Sequence, residues 1–151
     1  MPRRQTVAQF WREVEREVRA GKEAALEAGA KVLYKGTLEE LKAGSPGRGR
    51  AYRRGKRKIH RASRPGETPA RDDGKLIKAI GMVVNRGENP SAAVGVKTTA
   101  PYAVYLDPPR GKREPRIGRR PFLSTAFTKH EPQIKRVIAD ELERHLRRVG
   151  R

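Results

Sequence analysis

The sequence predicts an α+β fold in which a long N-terminal helix and a long C-terminal helix pack on a small antiparallel β-sheet. Apolar residues recur at three- and four-residue steps near both ends of the chain, which is the spacing of amphipathic helices. Between those ends, two valine-rich runs are separated by turn residues, as in a β-hairpin. A basic, glycine-punctuated stretch interrupts this pattern, so we also expect an extended basic loop. At 151 residues the whole chain, residues 1–151, is expected to form one domain.

The first helix is predicted over residues 6–35. A narrow seam of apolar and small side chains begins at Val7 and reaches Val32, and charged residues of both signs cover the rest of the helix. Thr6 and Gln9 have the spacing of a capping box at its start. The seam is typical of an amphipathic helix packed on its own domain, although a seam that also contacts a neighbouring subunit has the same pattern.

A glycine then interrupts the helical pattern. Gly36 is followed by Thr37 and Glu40, which have the spacing of a second capping box. We therefore expect either a kink at this point or a short second helix that ends at Gly44.

Residues 47–71 form the predicted basic loop. Arginine and lysine dominate it, no acidic residue occurs before Glu67, and only Tyr52 and Ile59 could anchor it. Such a composition buries too little apolar surface to fold alone, so we expect the loop to be mobile in the free protein. It is interpreted either as a solvated insertion or as an arm that contacts DNA or an acidic partner without reading base sequence. The candidate contact residues are Arg48, Arg50, Arg53, Arg54, Lys56, Arg57, Lys58 and Arg61.

Regular structure is expected to return with a short helix over Lys75–Ile80, for which Asp72 or Asp73 is the candidate N-cap. A β-hairpin should follow. Its predicted strands are Met82–Asn85 and Ala92–Lys97, joined by residues with good turn chemistry.

The next stretch is predicted to be a single helical turn that displays aromatic residues. Pro101 suits the first turn of a helix, and Tyr102 and Tyr105 then fall on one face. Asp107 precedes two prolines, and these end the turn because a residue before proline avoids the α region.

A last helix is expected from about Pro121 to Arg148, with Pro132 marking a kink or a new start. Its apolar side should close over the hairpin together with the first helix. The predicted core is therefore Leu76, Ile80, Val94, Val96, Leu123, Phe127, Ile134 and Ile138.

The aromatic turn, the proline-stiffened loop after it and the start of the last helix are predicted to form an interface with another subunit or partner. Tyrosine and arginine are common at protein interfaces, and arginine pairs bidentately with carboxylate or phosphate groups. The alternative is that the tyrosines cap the sheet and the loop is solvated. The candidate interface residues are Tyr102, Tyr105, Arg110, Arg113, Arg116, Arg119, Arg120 and Phe122.

Composition and motifs argue against several functional classes. The chain has no cysteine, so it has no disulfide, and its three histidines are scattered, so no metal site is expected. No nucleophile, phosphate-loop or zinc-protease spacing occurs, so we expect no catalytic residue and no cofactor, and the protein is not expected to be an enzyme.

Charge and hydropathy indicate the expected surroundings. No apolar run approaches the roughly 20 residues of a membrane span. The N-terminus lacks the apolar segment of a signal peptide, so a soluble protein made in the cytoplasm and without a membrane partner is expected. A net charge of +19 favours an anionic partner surface.

Three short motifs occur in an order that resembles a known family. Gly74-Lys75-Leu76 begins the short helix, Pro101-Tyr102-Ala103 follows the hairpin, and Arg120-Pro121-Phe122-Leu123 enters the last helix. With this order over residues 60–148, the chain resembles the tail-completion, or head–tail joining, proteins of long-tailed bacteriophages. Family members commonly follow the tyrosine segment with Glu-Phe-Gly-Thr, whereas this chain has Asp107-Pro108-Pro109-Arg110-Gly111.

The resemblance implies a structural role in the virion. The chain would form a ring with itself, a hexamer, in the neck between the head connector or stopper proteins and the tail terminator or tail tube. The ring would be assembled in the host cytoplasm and would help to complete a channel for packaged DNA. The competing interpretation is a small basic nucleic-acid-binding protein with sequence-independent phosphate contacts, which should purify with nucleic acid that salt releases.

Overall fold

Both long helices and the α+β class are confirmed by the computed structural model, which describes residues 6–54, 58–108 and 118–149. The two long helices pack together, and the strands form two separate two-stranded antiparallel sheets, β1–β2 and β3–β4, where one sheet was predicted. In chain order the elements are α1 (Val7–Ala43), β1 (Ala51–Arg54), β2 (Lys58–Arg61), α2 (Lys75–Ala79), β3 (Ile80–Asn85), β4 (Ser91–Val96), α3 (Ala103–Leu106) and α4 (Leu123–Val149).

Helix α1 begins where the capping box predicts. The Thr6 N–H donates to Gln9 Oε1 over 2.9 Å, and the Gln9 N–H donates back to Thr6 Oγ1 over 3.3 Å. The second capping box is wrong, because α1 continues through Gly36 and the Thr37 hydroxyl donates instead to the Leu33 carbonyl over 2.8 Å. A side chain at Gly36 would overlap the imidazole of His130, so this glycine permits close contact with α4 and does not end the helix.

The chain groups into two compact units, and each takes part of both long helices. The first takes its described residues from Met1–Val32, Met82–Ala93 and Pro132–Arg151, and the second from Leu33–Gly81 and Val94–Glu131. That residues 1–151 behave as a single domain remains a prediction.

In the first unit, larger side chains of α4 pack against glycines of α1. A Cβ on Gly21 would lie 2.9 Å from His145 Cβ, and one on Gly29 would lie 2.9 Å from Ile138 Cδ1. His145 Nδ1 also lies 3.4 Å from Glu17 Oε2. This close packing of α4 on α1 explains why α4 runs through Pro132 without a new start, since tertiary contacts offset the lost backbone hydrogen bond.

Carboxylates of α1 hold the turn of the β3–β4 hairpin in the same unit. The Gly87 N–H donates to Glu23 Oε1, and the Arg86 guanidinium donates to Glu27 Oε2, both over 3.1 Å. A hydrogen bond from the Lys31 ammonium, followed by that from Arg86, lowers the pKa of Glu27.

The second unit contains a core built from α1, α2, β3, α3 and the start of α4. Leu41, Leu76, Ala79, Ile80, Ala100, Ala103 and Phe122 are buried in it, and Val94, Val96 and Leu123 pack against them, half-buried. The predicted core positions Leu76, Ile80, Val94, Val96 and Leu123 are therefore confirmed. Within residues 6–54, 58–108 and 118–149, no helical segment combines the length and hydropathy that a membrane crossing requires.

Three of the predicted core positions are placed differently. The prediction that Phe127 is buried in the core is wrong, because its ring is 46% exposed. Phe122, in contrast, has no exposed surface. Phe122 precedes the first residue of α4, whereas Phe127 lies inside the helix and keeps nearly half of its surface exposed. Ile134 and Ile138 belong to the first unit, where they face Gly29.

The short helix and the hairpin after it agree with the sequence prediction, with shifted ends. The N-cap of α2 is Gly74, which makes no side-chain cap hydrogen bond, so the prediction of Asp72 or Asp73 as the N-cap is wrong. The Asp73 carboxylate accepts the Lys75 N–H over 3.0 Å from one position before the cap. Helix α2 ends at Ala79, and Ile80 and Gly81 already belong to β3.

Candidate interface

Helix α3 is a single turn that separates a buried side from an exposed aromatic side. Ala103 is buried in the core of the second unit, while Tyr102, Val104 and Tyr105 are exposed. The exposed fraction of Tyr105 is 63%. We call Tyr102, Val104 and Tyr105 the tyrosine turn. The tyrosine turn is therefore accessible to a partner, as the predicted interface requires.

The carboxylate of Asp107 fixes the end of α3 to the start of α4. Its Oδ2 accepts the backbone N–H groups of Phe122, Leu123 and Ser124 over 3.1, 2.9 and 3.0 Å, and its Oδ1 accepts the Ser124 hydroxyl over 3.0 Å. Only 4% of the Asp107 side chain is exposed. Asp107 therefore acts as the N-cap of α4 from a distant position, satisfying donors that a helix start leaves unpaired. These hydrogen bonds tie the end of the tyrosine turn to the start of α4.

The two described arginines of the candidate interface make contacts within the chain. The Arg119 guanidinium lies 3.4 Å from both Asp107 Oδ1 and the Pro108 carbonyl oxygen. The Arg120 guanidinium donates twice to the carbonyl of Ser63, over 3.2 and 3.1 Å. Both side chains are half-buried, so they brace the loops beside the tyrosine turn and keep only part of their surface for a partner.

The prediction that Phe122 contacts a partner has to be corrected. Its ring is fully buried in the core, so it supports the tyrosine turn from below and has no surface to offer a partner. Arg110, Arg113 and Arg116 lie outside the described residues, as do Lys56 and Arg57 of the basic loop and the side chains of Arg54 and Lys58.

The basic loop contains a β-hairpin, which the sequence analysis did not predict. Strands β1 and β2 pair antiparallel, with Ala51 opposite Arg61, Tyr52 opposite His60, Arg53 opposite Ile59 and Arg54 opposite Lys58. The rings of Tyr52 and His60 meet edge to face with centroids 5.0 Å apart. Because successive side chains alternate between the two faces, Arg53, Ile59 and Arg61 share the opposite face, and all three are exposed. That the loop is mobile in the free protein remains a prediction.

The base of this hairpin is fixed by Glu67. Its carboxylate accepts the Ser45 hydroxyl over 2.6 Å and the Arg64 N–H over 2.9 Å. These two hydrogen bonds, the hydroxyl first, lower the pKa of Glu67. The ladder also extends past the strands, since the Gly49 N–H donates to the Ala62 carbonyl over 2.7 Å.

A cavity of about 530 Å³ lies within the second unit, bordered by the basic hairpin, α2 and α3. Rings of Tyr52, His60 and Tyr102 line it together with aliphatic side chains, including Ile77. Charged residues Arg71, Asp72, Asp73, Lys75 and Arg120 also border it. We call this cavity the aromatic groove. Its size and mixed lining are those of a binding site for a side chain or short segment.

Sequence reasoning missed Asp107, Glu67 and the groove, because each depends on residues that are distant in the chain. Asp107 meets its amide partners fifteen to seventeen positions later, and Glu67 meets Ser45 across the whole hairpin. The one sequence signal was the Asp-Pro-Pro step, which was interpreted only as the end of a turn. Among the described residues, no group of three or more histidine, aspartate or glutamate side chains could hold a metal ion. The groups at the tyrosine turn, the basic hairpin and the aromatic groove that could contact a partner are aromatic rings and the cationic side chains of arginine and lysine.

Comparison with known proteins gives the family. No curated protein and no solved structure matches the chain. A family model described as "Bacteriophage HK97-gp10, putative tail-component" matches residues 5–107, which is more than half of the chain and includes both hairpins and α3. The match ends at the residue that caps α4. The chain therefore belongs to the HK97-gp10-like family of bacteriophage tail components.

Proposed function

We propose that this chain assembles into a homo-oligomeric ring, a hexamer, in the neck of a long-tailed phage. The ring joins the head connector or stopper to the tail terminator or tail tube and helps to complete the DNA channel. As a member of a tail-component family, the chain is a structural protein of the virion and works together with other phage structural proteins.

The tyrosine turn carries this proposal. An assembly protein needs an exposed contact surface that does not lose much conformational freedom on docking. Tyr102 and Tyr105 supply aromatic area with polar tips, which is the composition enriched at protein interfaces. The Asp107 cap and the buried ring of Phe122 hold that surface in place before any partner arrives.

The exposed face of the basic hairpin supports the DNA-channel part of the proposal. Arg53 and Arg61 share this face, and phosphate contacts by such residues need no base recognition. In a ring, one such face per subunit would surround the channel with positive charge.

The experiment replaces Tyr105 by serine in the phage and measures how many heads and tails join. We expect separated heads and tails to accumulate, because the substitution removes an exposed aromatic contact while leaving the core intact. Arg113→Glu with Arg116→Glu should act in the same way if the loop before α4 also contacts a partner. Val83→Ser, at another exposed apolar position, is the matched control and should leave joining unchanged. Normal joining by the Tyr105→Ser phage would contradict the proposal.

The competing candidate is a nucleic-acid-binding protein, for which the basic charge of the chain is the sole support, including the arginines of the hairpin face. Arg53→Glu with Arg61→Glu separates the two. The ring proposal expects this variant still to enter particles at a fixed copy number. A protein that is absent from particles and loses salt-sensitive DNA binding with this substitution would favour the competing candidate.

A further inference from the structure

The exposed face of the basic hairpin carries apolar groups as well as positive charge. Arg53 lies directly opposite Ile59 on this face, and Arg61 lies directly opposite Ala51. The two arginines therefore occupy one diagonal of the ribbon, about 7–8 Å apart, and the two apolar residues occupy the other diagonal. We call these four residues the ribbon face. Because Ile59 is 71% exposed, the ribbon face presents an apolar side chain next to both cations.

The other face of the hairpin is already used within the chain. Tyr52 and His60 pair across that face and border the aromatic groove, and His60 Nδ1 lies 3.7 Å from Asp72 Oδ1. Neither arginine of the ribbon face, by contrast, has a carboxylate partner among the described residues. The sequence around the hairpin supplies none nearby, since residues 41–66 contain no aspartate or glutamate. The cations of the ribbon face are therefore available to a polyanion outside the chain.

A two-stranded ribbon of this kind has the width of the major groove of B-form DNA. Neighbouring strands lie about 4.8 Å apart, and the major groove is about 12 Å wide, whereas the minor groove is about 6 Å wide and leaves little room for the side chains of two strands. Along the major groove, arginine reaches phosphate oxygens, and an apolar side chain contacts the methyl group of thymine. The ribbon face carries partners for both groups.

We propose that the basic hairpin lies in the major groove of duplex DNA, with Arg53 and Arg61 on the phosphate backbone and Ile59 against thymine methyl groups. The opposite charges of the ribbon face and the phosphates favour DNA as the occupant over a second copy of a chain whose net charge is +19. The methyl contact needs no single base sequence, because every thymine exposes its methyl group in the major groove. The inference rests on the DNA-channel part of the proposed function and specifies how each subunit contacts the DNA.

Fluorescence anisotropy with the full-length protein tests the groove contact. Three duplexes of equal length and matching sequence are compared, namely DNA, the same DNA with uracil in place of thymine, and RNA. Their phosphate charge is the same, but uracil lacks the methyl group and A-form RNA has a deep, narrow major groove that side chains cannot enter. We expect uracil-containing DNA to bind about fourfold more weakly than DNA, which is the value of one buried methyl-sized group, and RNA to bind more weakly still. If DNA binds no more tightly than either of the other two duplexes, the inference is overturned.

Variants of the ribbon face separate the apolar contact from the charge. Ile59→Ser should weaken DNA binding about fourfold and abolish the preference for thymine over uracil, while the slope of log affinity against log salt stays unchanged. Arg53→Gln should lower the magnitude of that slope by about 1. Val83→Ser, at an exposed strand position, and Arg136→Gln, at an 83% exposed side chain of α4, are the matched controls and should leave affinity and slope unchanged.

Circular dichroism should show the same secondary structure for these variants, because the substituted side chains are exposed. A thymine preference that persists in Ile59→Ser would overturn the methyl contact. A slope that falls as much in Arg136→Gln as in Arg53→Gln would show that the positive charge acts from the whole surface, and this result too would overturn the inference.

The inference and the proposed function fail in different ways. Equal binding to the three duplexes, with a slope that Arg53→Gln still lowers, overturns the groove contact but leaves phosphate contacts in a DNA channel standing. A chain that binds no duplex even at low salt overturns the groove contact together with the DNA-channel part of the proposed function. The head–tail joining assay with Tyr105→Ser tests the neck ring separately from both.

Discussion

Replacing Asp107 by alanine should destabilise the protein, because this one carboxylate satisfies the start of α4. The substitution leaves three backbone N–H groups, those of Phe122, Leu123 and Ser124, without their acceptor. Loss of an N-cap costs about 0.5–2 kcal/mol, and a hydrogen bond to a charged group contributes about 1.5–3 kcal/mol. Water can reach Ser124, so these contributions do not add fully. We expect a loss of about 3 kcal/mol in the free energy of unfolding.

Urea unfolding followed by far-ultraviolet circular dichroism measures this loss. Asp107→Asn keeps one oxygen acceptor but removes the negative charge near the helix start, so it should cost only about 1 kcal/mol. Asp140→Ala is the matched control, since the Asp140 side chain is 60% exposed and lies 3.9 Å from Arg136. It should change the free energy of unfolding by less than about 0.5 kcal/mol. An Asp107→Ala value as small as that of the control would refute the capping role.

Three further predictions concern the second unit. Phe122→Ala should lower the free energy of unfolding by about 3–5 kcal/mol, whereas Phe127→Ala, at a half-exposed ring, should lower it by less than about 1 kcal/mol; equal losses in urea would contradict the core assignment. Nuclear magnetic resonance should find the pKa of Glu67 below its ordinary value. The stability that ionised Glu67 adds to the fold is then present above the unfolded-chain pKa and is lost as the pH falls through the folded value. Ser45→Ala should raise the pKa of Glu67, and an unchanged titration in this variant would exclude the hydroxyl as the cause. Gly36→Ala should cost about 1–3 kcal/mol through overpacking against α4, and a neutral effect in thermal melts would show that the helices have room to separate.

Features that depend on local chain patterns could be predicted from the sequence. The capping box at Thr6 and Gln9, the strands of the β3–β4 hairpin and the one-turn helix before Asp107 each depend on residues within a few positions of one another. The spacing of apolar residues along the chain indicates such short-range structure directly. Five of the eight predicted core positions were therefore confirmed in the core of the second unit.

Features set by distant contacts could not be predicted in this way. Gly36 resembled a helix end because the sequence does not show that an imidazole of α4 packs against it. The β1–β2 hairpin was hidden because charged residues are frequent in it and the alternation of apolar residues is lost, with Tyr52 paired to His60 across the strands. The role of Asp107 depends on amides beyond an intervening loop. In each case the decisive partner becomes visible only when the chain is folded.

We propose a closed ring of this chain in the phage neck, and a reconstruction of the neck in the assembled particle is the decisive experiment. Six copies are expected around the DNA channel between the head connector and the tail, with Tyr105 at a protein contact and the Arg53 face towards the channel. Copies distributed along the tail shaft, or a neck without this protein, would contradict it.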